Sequence, residues 1–273
     1  MPLVFAGTAN HAPGITSRRE AATPAQREVF FSAYAELRAR LERARLDALV
    51  VVSSEHFTNF FFDNAPAFCI GLAEAYDGPS EDESFLRIAK TTVPGAADLA
   101  RHLARAASAE IDLAHSQELL LDHGIMVPLH LLVPQMRLPI VPIIVNCLMP
   151  PLPPLARCYD LGCALRRAMD AREERIGLLA AGGLSHWPGT PESGRLNLEF
   201  DRGFLHDFLA NNRQRLIRHS DEEISTSAGP GGHEIRAWIV ASGATEGLIG
   251  EALCFEPIPA YAVTGCVATI AVV

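Results

Sequence analysis

Three histidines stand just after apolar runs that are typical of buried β-strands. His11 follows the apolar run at residues 2–7, His56 follows the run at 48–52, and His186 follows the run at 176–181. In an open α/β sheet, the loops after parallel strands gather at one edge and form the ligand site. Imidazole is a common metal ligand and also moves protons near pH 7. The spacing therefore predicts a polar site that binds a metal ion.

Two further positions could contribute to such a site. His123 lies in the stretch LDHG, residues 121–124, whose other members can equally mark the start of a helix. Glu234 follows His233 in a pattern that begins like the H-E-x-x-H zinc-protease motif, but residue 237 is Ala237 and the motif fails. A carboxylate in the first turn of a helix is also favoured by the helix dipole alone. The residues themselves leave both positions undecided.

The composition limits the class of protein. The chain has 273 residues and a net charge of −9, which argues against a nucleic-acid-binding protein. It carries ten histidines, whereas Lys90 is the single lysine. No signal peptide or membrane span is expected, and six cysteines without a C-x-x-C pair favour reduced thiols in the cytoplasm. We interpret the other histidines as surface or packing residues: His102, His115, His130, His206 and His219.

Strand-like runs alternate with helical patterns along the chain. Further strands are predicted at 140–145 and from 262, and helices at 23–45, 95–109, 156–171, 200–211 and 233–242, with a short helix or turn at 122–133. Residues 63–92 are expected to be irregular. This alternation predicts one α/β domain over residues 1–273, with layers of helices around a central mixed β-sheet and the active site at the carboxyl ends of the strands.

Five short stretches occur in order along nearly the whole chain. They are residues 9–14 (ANHAPG), 54–57 (SEHF), 121–124 (LDHG), 182–186 (GGLSH) and 233–238 (HEIRAW). Together they resemble the class III extradiol ring-cleavage dioxygenases, the group built around the protocatechuate 4,5-dioxygenase β subunit. Residues 64–71 (NAPAFCIG) are also similar to the dihydroxyphenylpropionate branch of that group.

The resemblance implies a function for each of these positions. His11, His56 and Glu234 would be the ligands of Fe(II), as two imidazoles and a carboxylate are in non-heme iron oxygenases. His123 and His186 would move protons, with the division of acid and base left open. The substrates would be O₂ and a catechol-type aromatic (protocatechuate, gallate or dihydroxyphenylpropionate-like), or a 2-aminophenol or hydroxypyridine analogue. A homo-oligomer is expected, with a small partner subunit as a further option.

Other interpretations of the same residues stay open. Two histidines and a glutamate also form catalytic zinc sites, so a zinc-dependent hydrolase is one alternative. A non-catalytic binding protein on the same fold is another. An aromatic acid would need a positive anchor in this acidic protein, for which Arg18, Arg19 and the backbone near Thr264 are candidates.

Overall fold

The structure is a computed structural model that describes residues 2–272. Its centre is an eight-stranded mixed β-sheet in the order β6-β3-β7-β2-β8-β1-β10-β9, and β4 pairs with β5 in a separate antiparallel ribbon. The strands are β1 (Leu3–Ala9), β2 (Ala48–Ser54), β3 (Phe68–Gly71), β4 (Ala75–Gly78), β5 (Thr91–Pro94), β6 (Ala114–Ser116), β7 (Ile140–Val145), β8 (Ile176–Ala181), β9 (Gly250–Ile258) and β10 (Val263–Ile270). The predicted fold class is confirmed.

Helices cover both faces of this sheet. They are α1 (Gly14–Ser17), α2 (Pro24–Ala44), α3 (Glu83–Leu86), α4 (Ala97–Ala107), α5 (His123–Leu132), α6 (Leu155–Asp170), α7 (Leu198–Leu209), α8 (Arg213–Leu216), α9 (Asp221–Ala228) and α10 (Ile235–Ala244). Three short 3₁₀ helices are Arg19–Ala21, Pro230–Glu234 and Pro259–Tyr261. The predicted start of α2 is confirmed, because the Thr23 side chain and Gln26 form a reciprocal capping box.

Successive residues of the central strands face opposite sides of the sheet. In β2, Val50 and Val52 pack in one hydrophobic core, whereas Leu49 and Val51 pack in the other. This is the two-residue period of a strand covered on both faces, and it explains why the segment reads as an unbroken apolar run.

Four neighbouring strands, β7, β2, β8 and β1, run parallel to one another. Their last residues are in register, since Ser54 pairs with Val145 and Ala9 pairs with Ala181. The loops that follow these strands therefore leave the sheet at a single edge. This arrangement brings the loops after β1, β2 and β8 together, as the positions of the histidines predicted.

The fold contains elements that the sequence did not predict, among them β6, α8 and α9. Residues 63–92, expected to be irregular, contain β3, β4, α3 and the start of β5, and β3 joins the sheet antiparallel to β7. The outer strand β9 was not predicted, because exposed residues interrupt its apolar pattern. Strands of four residues, such as β3 and β4, are too short for an alternating pattern to stand out.

Within residues 2–272, no helix combines the length and the apolar character that a bilayer crossing requires.

Candidate functional site

All five predicted site residues meet at the carboxyl edge of the parallel strands. His11 and His56 each lie two residues beyond a strand, β1 and β2, and His186 lies in the loop after β8. His123 is the first residue of α5, and Glu234 is the last residue of the 3₁₀ helix that precedes α10. Segments far apart in the sequence thus supply one cluster.

The Glu234 carboxylate lies at the centre of this cluster and is almost completely buried. Its Oε2 atom lies 3.1 Å from Nε2 of His11, and its Oε1 atom lies 3.5 Å from Nε2 of His56 and 3.4 Å from Nε2 of His186. The backbone N–H of Gly183 also donates to Oε2. Burial by itself would raise the pKa of Glu234, but His11 and His186 hold it well below its usual range.

His56 is oriented by the carboxylate of Asp122. Its Nδ1 atom lies 2.9 Å from Oδ2 of Asp122, so Nε2 faces Glu234. Burial opposes the charged form of His56, but Asp122 and Glu234 outweigh it and raise its pKa to about 10. A carboxylate behind a histidine is the usual support for a metal-binding imidazole, because it fixes the tautomer and increases the basicity of the other nitrogen.

His123 is held in a similar way by Glu81. The Oε1 atom of Glu81 lies 2.5 Å from Nδ1 of His123 and accepts the backbone N–H of the same residue at 2.9 Å. The rings of His123 and His56 have their centroids 4.0 Å apart. Burial and the charge of His56 lower the pKa of His123, although Glu81 opposes them.

His186 is fixed by its own loop. Its Nδ1 atom lies 2.9 Å from the carbonyl oxygen of Leu184, so Nε2 faces Glu234. The ring packs directly against Gly231, where any side chain would collide with it. Burial lowers the pKa of His186, but the Glu234 carboxylate overcomes this effect and raises it.

A buried carboxylate fastens the loop of His186 to the sheet. Asp201 accepts hydrogen bonds from the backbone N–H of Ser185 at 2.7 Å and from its hydroxyl at 2.9 Å, and a third from the hydroxyl of Thr264. Burial raises the pKa of Asp201 to about 6 even though these donors lower it. The side chain of Thr264 is therefore committed to Asp201.

The donor atoms of the cluster fit a divalent metal ion. Side-chain nitrogens of His11, His56 and His123 lie within 4.8 Å of one another. The Glu234 oxygens lie as close to His11 and His56. Nδ1 of His11 is buried and has no hydrogen-bond partner within residues 2–272. Nitrogen and carboxylate donors around a buried negative charge suit iron or zinc, with either Glu234 or His123 as the third ligand.

A cavity of about 910 Å³ opens onto this cluster. Its wall combines apolar side chains with two arginines, Arg18 and Arg87. Within residues 2–272, neither guanidinium forms an ion pair with a carboxylate, so both are available to an anionic ligand. Arg19 instead stacks on Phe31, 3.9 Å from the ring centroid. The apolar wall includes Phe57, Phe85, Leu148 and Tyr261.

The other histidines lie away from the cavity wall in the described part of the chain. His115 and His206 are exposed, and the rest of the predicted surface set is half-buried. His233, the neighbour of Glu234, bonds to Arg236 at 2.7 Å and to Ser225 at 2.9 Å. These contacts give His233 a structural role.

The sequence reasoning missed Glu81, Arg87 and Asp201 as site residues, and it treated Asp122 only as a helix start. Asp122 does cap α5, accepting the N–H of Gly124 at 2.8 Å, and the same carboxylate orients His56. The position of Asp122 directly before His123 could have indicated from the sequence that its carboxylate belongs to the site. Glu81 and Asp201 offered none, because each contacts the site from a distant part of the sequence.

The chain is similar to a known protein family over most of its length. The family model described as the catalytic LigB subunit of aromatic ring-opening dioxygenase matches residues 6–265. A 2,3-dihydroxyphenylpropionate/2,3-dihydroxicinnamic acid 1,2-dioxygenase of Photorhabdus laumondii is 29% identical over 85% of both chains. Its counterpart in Paraburkholderia xenovorans is 30% identical over 78% of this chain and 80% of that relative.

Two other matches add to this picture. A gallate dioxygenase of Pseudomonas putida is 37% identical over 55% of this chain and 46% of its own length. The crystal structure of an uncharacterized protein of Escherichia coli superposes with a TM-score of 0.66, covering 98% of this chain and all of that one at 19% identity, which supports the fold. The chain therefore belongs to the LigB family, the catalytic subunits of aromatic ring-opening dioxygenases.

Proposed function

We propose that the chain is an Fe(II)-dependent extradiol dioxygenase that opens the ring of a catechol-type aromatic acid with both atoms of O₂. The observation that carries this proposal is the buried Glu234 carboxylate, 3.1 Å from His11 and 3.5 Å from His56, at the inner end of a cavity large enough for a substituted aromatic ring. Membership in the ring-opening family supports this reaction over a zinc hydrolase or a non-catalytic binding protein.

His11, His56 and Glu234 would hold the metal. We choose Glu234 over His123 because its carboxylate faces both imidazoles and its charge would balance a divalent ion in a buried site. The hydrogen bond between Nδ1 of His56 and the Asp122 carboxylate supports His56 as a metal ligand, because it leaves Nε2 free to bind the ion. Bound iron would bring the catecholate and O₂ together and supply the electron transfer between them.

His186 and His123 would move the protons. In each ring Nδ1 is engaged, by the Leu184 carbonyl and by Glu81 respectively, which leaves Nε2 as the proton-carrying atom. In the neutral form this nitrogen accepts a proton from a substrate hydroxyl, and the resulting imidazolium returns it to an oxygen of the opening ring. Which histidine performs which step stays open.

The cavity wall indicates the kind of substrate. Phe57, Phe85 and Leu148 offer apolar contacts to an aromatic ring and its side arm, while Arg18 and Arg87 offer positive charge to a carboxylate. The sequence suggested Arg18 and Arg19 as anchors for a substrate carboxylate. Arg18 does line the cavity, whereas the second arginine of the wall is Arg87 and not Arg19. Relatives named for dihydroxyphenylpropionate and gallate, both aromatic acids, are consistent with this choice.

Oxygen uptake by the iron-loaded protein tests the proposal. The protein is loaded anaerobically with Fe(II) and mixed with air and a panel of catechol, protocatechuate, gallate, 2,3-dihydroxyphenylpropionate and 2-aminophenol. We expect one O₂ consumed per ring opened and the appearance of a yellow product. Zinc-loaded protein and His11→Ala are the controls. No uptake from any ring, or hydrolytic activity of a zinc form without oxygen, would overturn the proposal.

We further propose that the protein works in a reducing compartment such as the cytoplasm, since all six cysteines are free thiols. Self-association stays a prediction, as does the use of a small partner subunit. Both are checked by measuring the mass of the active enzyme in solution.

A further inference from the structure

The protein's single lysine binds the backbone that leads to the catalytic cluster. The ammonium group of Lys90 donates to the carbonyl oxygens of Pro79, Ser80 and Glu81, at 3.1 Å for Ser80 and 2.6 Å for Glu81. Three successive carbonyls that point toward one place repel one another unless a cation lies between them. Lys90 therefore holds residues 79–81 in this curve, together with the hydrogen bond that the backbone N–H of Ser80 donates to the carbonyl oxygen of Leu121 at 2.7 Å.

The β4–β5 ribbon explains how the lysine reaches this position. Gly78, the last residue of β4, pairs with Thr91, the first residue of β5. Residues 79–81 leave the end of one strand, and Lys90 stands just before the start of the other. The sheet pairing thus sets the lysine opposite the carbonyls that it binds.

The curved backbone of residues 79–81 places the Glu81 side chain in contact with His123. One oxygen of Glu81 accepts both the ring Nδ1–H of His123, at 2.5 Å, and its backbone N–H, at 2.9 Å. The other oxygen accepts the hydroxyl of Ser80 at 3.2 Å. Both carboxylate oxygens are engaged, so the side chain has one orientation, and the imidazole of His123 takes its orientation from it.

We propose that Lys90 and Glu81 form a clasp that orients His123, with Glu81 as a positioning residue that fixes the imidazole tautomer and Lys90 as a second one that acts through Glu81. The inference rests on the proposed function for the role of His123 in proton transfer. Its physical basis is the chain of hydrogen bonds from the lysine ammonium through the backbone of residues 79–81 to the imidazole.

A double-mutant cycle tests the clasp in the iron-loaded enzyme. We expect Glu81→Ala to lower kcat about 10- to 100-fold and Lys90→Met to lower it several-fold, with KM and iron content close to those of the wild type. The double variant should be no slower than Glu81→Ala, because Lys90 acts through that residue. Glu83→Gln, an exposed carboxylate two residues further on, is the matched control. Fully additive losses, an unchanged kcat for Lys90→Met, or a change confined to KM would overturn the clasp.

A second measurement does not depend on turnover. In the metal-free, full-length protein, nitrogen-15 NMR of the histidine rings, with His123 assigned through His123→Asn, should show the Nδ1-protonated tautomer. In Glu81→Ala this signature should be lost, whereas Glu83→Gln should keep it. An unchanged His123 spectrum in Glu81→Ala overturns the clasp. If the spectrum changes as expected but no ring substrate is opened, the clasp stands and the proposed function fails.

Discussion

Asp122 links His56, in the candidate metal site, to the helix that carries His123. One oxygen of its carboxylate lies 2.9 Å from Nδ1 of His56, and the other accepts the backbone N–H of Gly124 at 2.8 Å. The same side chain therefore orients an imidazole and caps α5. Gly124 is needed at this junction, because a Cβ atom there would lie 2.9 Å from Cε1 of His56.

The variant Asp122→Asn separates the support of His56 from the capping of α5. Asparagine is as good a helix cap as aspartate, so α5 should persist, but the negative charge behind His56 is lost. We expect the Fe(II) affinity to fall about 10- to 100-fold, as measured by anaerobic metal titration. Asp112→Asn, at an exposed position, should bind iron like the wild type. An affinity within twofold of the wild type in Asp122→Asn would show that this carboxylate does not support the metal site.

Glu234 and His123 compete for the third ligand position, and alanine variants distinguish them. We expect Glu234→Ala to lose stoichiometric iron, because the remaining imidazoles supply no negative charge. His123→Ala should keep about one iron per chain while kcat falls about 10²- to 10⁴-fold, the usual loss for an acid–base group. Iron content by elemental analysis is the measurement, and His115→Ala at an exposed position is the control. The reverse pattern of iron content would assign the ligand to His123.

Arg18 and Arg87 should govern selection for a carboxylate on the substrate. Charged hydrogen bonds contribute about 1.5–3 kcal/mol, so Arg18→Met and Arg87→Met should each raise KM for 2,3-dihydroxyphenylpropionate by about tenfold or more. KM for unsubstituted catechol should hardly change. Arg19→Met, whose guanidinium stacks on Phe31, is the control. Equal losses for both substrates would mean that the arginines shape the cavity rather than bind the acid.

Asp201 gives the folded protein a specific dependence on pH. Its pKa is raised from 3.8 to about 6, so the folded state binds this proton more tightly than the unfolded chain does. The resulting stabilisation is complete below the ordinary pKa and is lost as pH rises through about 6. The wild type should therefore lose about 1 kcal/mol of unfolding free energy between pH 5 and pH 8 from this group alone.

Urea unfolding of Asp201→Asn measures this contribution. The variant leaves donors on Ser185 and Thr264 unsatisfied and should be less stable at both pH values, but its deficit should be larger at pH 5 than at pH 8. Glu199→Gln, at an exposed position, should follow the wild type. A deficit that is the same at both pH values would contradict the raised pKa of Asp201.

Local patterns were enough to predict the frame of the fold. Short stretches of neighbouring residues define the capping box at Thr23 and the apolar runs of β1, β2 and β8. The histidines lie only a few residues beyond those runs. Because parallel strands end at one edge of a sheet, these patterns also predict that His11, His56 and His186 lie close together. The proposals for Glu234 as the third ligand and for His123 in proton transfer needed the family resemblance, since a lone glutamate or histidine at a helix start is ambiguous.

The tertiary structure decided which groups surround those residues. Glu81 reaches His123 across 42 positions, and Asp201 reaches Thr264 across 63. Arg87 comes to the cavity wall from a segment that was expected to be irregular. The amino-acid sequence by itself therefore determined the central strands β1, β2 and β8 and the histidines that follow them, because these patterns lie within a few residues. Only the folded chain decided the hydrogen-bond partners, since the packing of distant segments leaves no local pattern.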